Sequence, residues 1–71
     1  MDRDVVESTS VRSIGYDPES KSLEIEFKNG QIYTYSDVPE DVYNKLMTSF
    51  SIGSAVNYLI KSGGYSYEKV N

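Results

Sequence analysis

The sequence predicts an α+β fold: an antiparallel β-meander of three strands plus a short C-terminal strand, with two short helices packed on one face. Three observations carry this. Apolar and polar residues alternate with period two from about residue 11 to 36, punctuated by Asp17-Pro18 and Asn29-Gly30. The period then becomes helical, first through Val38, Val42, Leu46, Met47 and Phe50, then through Ile52, Ala55, Val56, Leu59 and Ile60. Gly63-Gly64 stops the second stripe, and Tyr65-Ser66-Tyr67 resumes alternation as a closing strand. Strands in one run and helices in the next make a sheet covered on one side.

Each element has its own reason. Residues 1–7 are polar and acid-rich and read as a flexible N-terminal tail; residues 8–68 read as one domain and 69–71 as a C-terminal tail. The first strand, 11–16, puts Ile14 and Tyr16 on one face but Val11 on the other, so a bulge near Ser13 or Gly15 is expected. Asp17-Pro18-Glu19-Ser20 has the proline of a tight turn at its second position. Strands two and three, 22–28 and 31–36, flank Asn29-Gly30, which supplies the two positive-φ residues of a type I′ turn.

That turn sets a register in which 27 pairs with 32, 26 with 33 and 24 with 35. Leu23, Ile25, Phe27, Ile32 and Thr34 then share one face, and Glu24, Glu26, Lys28, Gln31, Tyr33 and Tyr35 the other. For the first helix Asp37 reads as the cap, with Pro39 in the first turn and Glu40 three residues after the cap, and the helix runs to about residue 49. Ser51 caps the second.

Composition narrows the function. With 71 residues, the chain has a small core and little room for a deep cleft. No Cys is present, which excludes disulfides, zinc-thiolate sites and thiol nucleophiles. The absence of His removes the usual general base near neutral pH and the commonest transition-metal ligand. No catalytic residue, cofactor or metal is therefore expected, and the chain reads as a non-enzyme. No apolar run is long enough for a transmembrane helix and the N-terminus is no signal peptide, so a cytoplasmic protein without membrane contact is expected. A formal net charge of −4 is a weak footprint for nucleic acid, although one local basic patch remains compatible with it.

Two surfaces stand out as binding candidates. On the predicted register Tyr33 and Tyr35 form an outward aromatic pair, either a stacking platform or a stabiliser of the hairpin. Glu26 would face Tyr33 and Glu24 would face Tyr35, so a cationic partner suits that face better than RNA does. The second surface is a polar stripe, Gly53, Asn57 and Lys61 at i, i+4 and i+8, which with Ser51 reads as an anion site or as a solvated helix face. Arg12 is a surface cation able to extend either patch. Tyr65 and Tyr67 are expected to share a face packed on the helices. Glu24 and Glu26, with alpha carbons about 7 Å apart on one strand face, are a candidate carboxylate pair for hydrolysis and read as a solvated strand.

Several short motifs occur in a telling order: Ile14-Gly15-Tyr16-Asp17, Tyr33-Thr34-Tyr35, Val38-Pro39, Ser51-Ile52-Gly53, and the Asn-x-x-Ile-Lys stretch at 57–61. In this the chain resembles the KTSC domain family, over roughly residues 8–67. The family is named for a segment at the C-terminus of some lysyl-tRNA synthetases and also occurs as small free-standing proteins of bacteria and phages. Where its pattern has an aromatic before the Asn, this chain has Val56, with Tyr58 beyond. The resemblance implies RNA binding through the synthetase context and supplies no catalytic residue. The expected function is a small binding module for RNA or a protein partner. The alternative is a phage or mobile-element regulator that masks a host protein or sequesters a small anionic, nucleotide-like ligand. Self-association into a homo-oligomer is expected from the small core.

Overall fold

The computed structural model describes residues 2–71; Met1, part of the expected tail, lies outside the described residues. Five antiparallel strands follow one another in chain order across a single sheet: β1 (Asp4–Val5), β2 (Val11–Asp17), β3 (Ser22–Phe27), β4 (Ile32–Tyr35) and β5 (Tyr67–Lys69). Between β4 and β5 lie α1 (Glu40–Met47) and α2 (Ile52–Ala55). The latter continues through a π-turn (Val56–Ile60) into a 3₁₀ turn (Lys61–Gly63). The expected meander is present with one more strand than the sequence indicated, because residues 4–5 pair with Ile14 and Ser13. The supposed N-terminal tail thus contributes an edge strand. The C-terminal tail is also engaged: Lys69 belongs to β5, Val70 N–H donates to the Ile32 carbonyl, and the Asn71 amide bonds Ile32 N–H and the Gly30 carbonyl.

The β3–β4 connection departs from expectation by one residue. Leu23 pairs with Tyr35, Ile25 with Tyr33 and Glu26 with Ile32. The loop holds three residues rather than two. Gly30 N–H donates to the Phe27 carbonyl at 3.0 Å, and Phe27 N–H to the Gln31 carbonyl at 2.9 Å. Only Gly30 has positive φ (91°); Asn29 does not, so the type I′ turn is replaced by a tight turn followed by one left-handed glycine. Asn29 serves instead through its side chain, whose Oδ1 accepts from Gln31 N–H at 3.0 Å. Because side chains alternate, this single step exchanges the faces of an entire strand. Tyr33 and Tyr35 join Leu23, Ile25 and Phe27 on the helix-covered face, while Ile32 and Thr34 go to the other side with Glu24 and Glu26.

The β2 bulge is found at Arg12, where the register shifts between Val11 and Ser13 and brings Val11, Ile14 and Tyr16 to the core side. The buried cluster is Val11, Ile14, Leu23, Ile25 and Tyr35 from the sheet, with Val38, Leu46, Ala55, Val56 and Ile60 from the helical segment. Asp37 is not the cap of α1. It sits at φ 59°, in the turn that delivers Val38 into the core, and Pro39 takes the cap position without a side-chain bond. Phe50 is fully exposed, since α1 ends at Met47 before reaching it. Ser51 does cap α2, accepting from Ser54 N–H, and Gly64 at φ 77° ends the helical segment. Among the described residues no helix is long and apolar enough to cross a membrane.

Candidate aromatic groove

The register places Tyr33 opposite Lys69 and Tyr35 opposite Tyr67, all on the face that carries Phe27. The 3₁₀ turn ending α2 and the following Tyr65 overhang that face. Between them runs a groove of about 370 Å³, walled by Phe27, Tyr33, Tyr35, Tyr65 and Tyr67 and floored by Ile60. Asn29, Gln31 and Lys61 are its polar lining. A volume near 370 Å³ is at the small end of the ~300–1,000 Å³ typical of ligand sites.

The rings hold one another at defined angles. Tyr33 meets Phe27 edge-on at 6.0 Å and Tyr67 edge-on at 5.9 Å; Tyr35 lies tilted at 5.8 Å from Tyr67 and 6.4 Å from Tyr33. Tyr35 is 5% exposed and belongs to the core, whereas Tyr67 is 67% exposed and forms the open lip. Burial, and secondarily the neighbouring phenols of Tyr33 and Tyr67, raises the Tyr35 pKa above the ordinary 10.0. It stays protonated at neutral pH and acts as a neutral wall.

Lys61 supplies the charge. Its Nζ rests 5.1 Å from the centre of the Phe27 ring, and it forms no ion pair among the described residues. A cation over an exposed ring gains only about 0.5–1 kcal/mol, so the ammonium is readily drawn to an anion. A π-turn directly precedes Lys61. A widened turn between Val56 and Ile60 interrupts the i, i+4 spacing that would have continued the Gly53–Asn57 stripe. Such turns are uncommon and concentrate at functional sites.

Of the residues singled out from sequence, Tyr33, Tyr35 and Lys61 converge in this groove. Ser51, Gly53, Asn57 and Arg12 do not. The Ser51 hydroxyl is occupied with Ser54, and Gly53 packs so tightly against Ser10 that an added Cβ would come within 2.7 Å of its hydroxyl. Asn57 is exposed. Arg12 points to the opposite sheet face, its Nε 3.9 Å from Glu26. That face also carries Arg3, which pairs with Glu24 and Glu26 and donates to the buried Ser13 hydroxyl at 3.1 Å. Ser13 in turn donates to Glu26 at 2.9 Å. The two glutamates are thus gathered under an N-terminal arginine rather than left as a free pair.

The expected juxtaposition of Tyr33 and Tyr35 with Glu24 and Glu26 is therefore incorrect: the phenols and the carboxylates lie on opposite sides of the sheet. Glu68, paired with Thr34, also falls on the outer side, and Lys69 on the groove side. The strand carboxylates thus lie on one side of the sheet, accompanied there by Arg3 and Arg12. Sequence reasoning missed Phe27, Asn29, Gln31 and Ile60 as site residues, and assigned Tyr65 and Tyr67 to packing. The signal for Phe27 and Tyr67 was their parity with Tyr35, legible only once the loop length is known.

Comparison with known proteins places this architecture. The KTSC domain family matches residues 7–70. The crystal structure of a KTSC domain protein from Yersinia pestis superposes with a TM-score of 0.91 at 37% identity, over 99% of this chain and 97% of that one. A protein of Stutzerimonas stutzeri (strain A1501) is 39% identical over 71 residues, the full length of both chains. One from Tsukamurella paurometabola is 38% identical over 56 residues, 79% of this chain and 84% of its own.

Proposed function

The chain belongs to the KTSC domain family, and on that premise we propose that it is a non-enzymatic, cytoplasmic binding module that holds single-stranded RNA in the aromatic groove. The observation that carries this reading is the convergence of Tyr33, Tyr67 and Lys61 in one groove whose described lining contains no carboxylate. Unstacked bases bind to aromatic faces, and a lysine neutralises the adjoining phosphate. The groove itself is spared the nearest strand carboxylates, since Glu24, Glu26 and Glu68 lie on the other side of the sheet. The family's resemblance to segments of lysyl-tRNA synthetases adds an RNA context.

The test is an amide-shift titration of the labelled protein with a single-stranded RNA oligomer and a matched duplex. Shifts at Gln31, Tyr33, Lys61 and Tyr67 are expected with the single strand alone. Tyr67→Ala, at an exposed lip, weakens binding without unfolding the domain. The salt slope should be shallow, about −0.7 per contacted phosphate. Shifts on the Glu24 and Glu26 face, or none at the groove, remove the reading.

A further inference from the structure

We infer that the groove accepts a single nucleotide unit, with its base among the aromatic rings, its phosphate on Lys61 and its base edge read by Gln31; this rests on the groove being the binding site. Three chemistries line the same small space. Five aromatic rings suit a planar ring system, an ammonium with no ion pair among the described residues suits an anion, and two neutral amides suit a ring edge that carries donors and acceptors. An aromatic peptide side chain would use the first alone. A base with its phosphate uses all three, within a groove of about 370 Å³.

The amides are not equivalent. Asn29 is committed to the turn: its Oδ1 accepts from Gln31 N–H, and its Nδ2 donates to Gln31 Oε1 at 3.3 Å. That second contact orients the Gln31 carboxamide and leaves its Nε2 protons without a protein partner among the described residues. Gln31 is therefore the specificity-determining residue, presenting donors to acceptor atoms on a base edge. A base edge that loses a matched donor is bound less well than an otherwise similar ring that keeps it.

The experiment is calorimetric titration of the full chain with the four nucleoside monophosphates, the four nucleosides, inorganic phosphate, and the RNA oligomer. Monophosphates are expected to bind about tenfold more tightly than nucleosides, as befits one charge-assisted contact. Lys61→Ala abolishes that tenfold gain, so that nucleoside and monophosphate bind alike. Gln31→Leu, which keeps the side-chain volume, narrows the spread of affinity among the four bases and leaves the phosphate gain intact. Equal binding of nucleoside and monophosphate, or an unaltered base ranking in Gln31→Leu, overturns the inference. Oligomer binding at the groove without any monophosphate binding overturns it too, while leaving the RNA reading in place. Monophosphate binding without oligomer binding supports the nucleotide site and assigns it to free nucleotides. If neither ligand binds, both ideas fall.

Discussion

Replacing Tyr35 by Ala and, separately, Thr34 by Ala measures which of two adjacent residues faces the core. Tyr35 is 5% exposed between the sheet and the helical segment, whereas Thr34 is half-buried on the outer face beside Glu24 and Glu68. A tyrosine of this burial removes about 150–250 Å² from water. At about 25 cal/mol per Å² that corresponds to about 4–6 kcal/mol. Alanine retains the first carbon, so the loss should be about 3–5 kcal/mol, the range seen for aromatic truncations in cores. A 71-residue domain has a total stability of about 4–11 kcal/mol. Tyr35→Ala therefore consumes much of it, and Tyr35→Leu provides a milder variant that still folds. Thr34→Ala should cost no more than about 1 kcal/mol. The assay is urea unfolding followed by circular dichroism, comparing midpoints at constant m-value. A Thr34 variant less stable than the Tyr35 variants would mean that the β3–β4 register, and with it the groove, is wrong.

Three further outcomes are expected. Gly30→Ala forces a side chain into a left-handed conformation at φ 91° and should cost about 1–2 kcal/mol, more than Asn29→Ala; equal losses in urea unfolding would contradict the three-residue loop. Gly15→Ala brings a Cβ to 2.5 Å from the Asp2 carbonyl oxygen, so residues 2–5 must shift and Arg3 loses its glutamates. The cost should be about 1–3 kcal/mol, with amide shifts confined to β1 and its neighbours; shifts across the helices would refute this account. Alkaline pH should destabilise the fold. Tyr35 and Tyr16 both have pKa values raised above 10.0, chiefly by burial, with Glu40, Asp17 and Asp41 adding to the effect on Tyr16. A raised folded value means the unfolded chain loses its protons first. Stability is thus complete below pH ~10 and declines as pH climbs through the folded values. Urea midpoints measured upward from about pH 8 should fall, and fall less in Tyr35→Phe; a decline identical in the two proteins would exclude Tyr35 as a source.

Period and punctuation in the chain were enough to determine the types and order of the three central strands, the two helices and the closing strand. The Ser51 cap, the Gly64 stop and the aliphatic stripe of α2 depend on contacts within a few residues, and the bulge of Val11–Asp17 was legible in its broken alternation. The short strand Asp4–Val5 escaped notice because two residues carry no period, and only the open edge of β2 recruits them. Asp37 misled for a related reason: a cap residue is recognised by type, but the need to bury Val38 turned its backbone left-handed instead.

Which side of the sheet the tyrosines occupy was decided in three dimensions. Asn-Gly is compatible with a loop of two residues or three, and the local cost of either is small. The choice falls to the interior, where burying Tyr35 beneath the helices outweighs burying Thr34. That same choice assembles the groove, since Phe27, Tyr33, Tyr67 and Lys61 come from four separate elements. Their types were written in the chain; their meeting depended on strand parity, a consequence of packing.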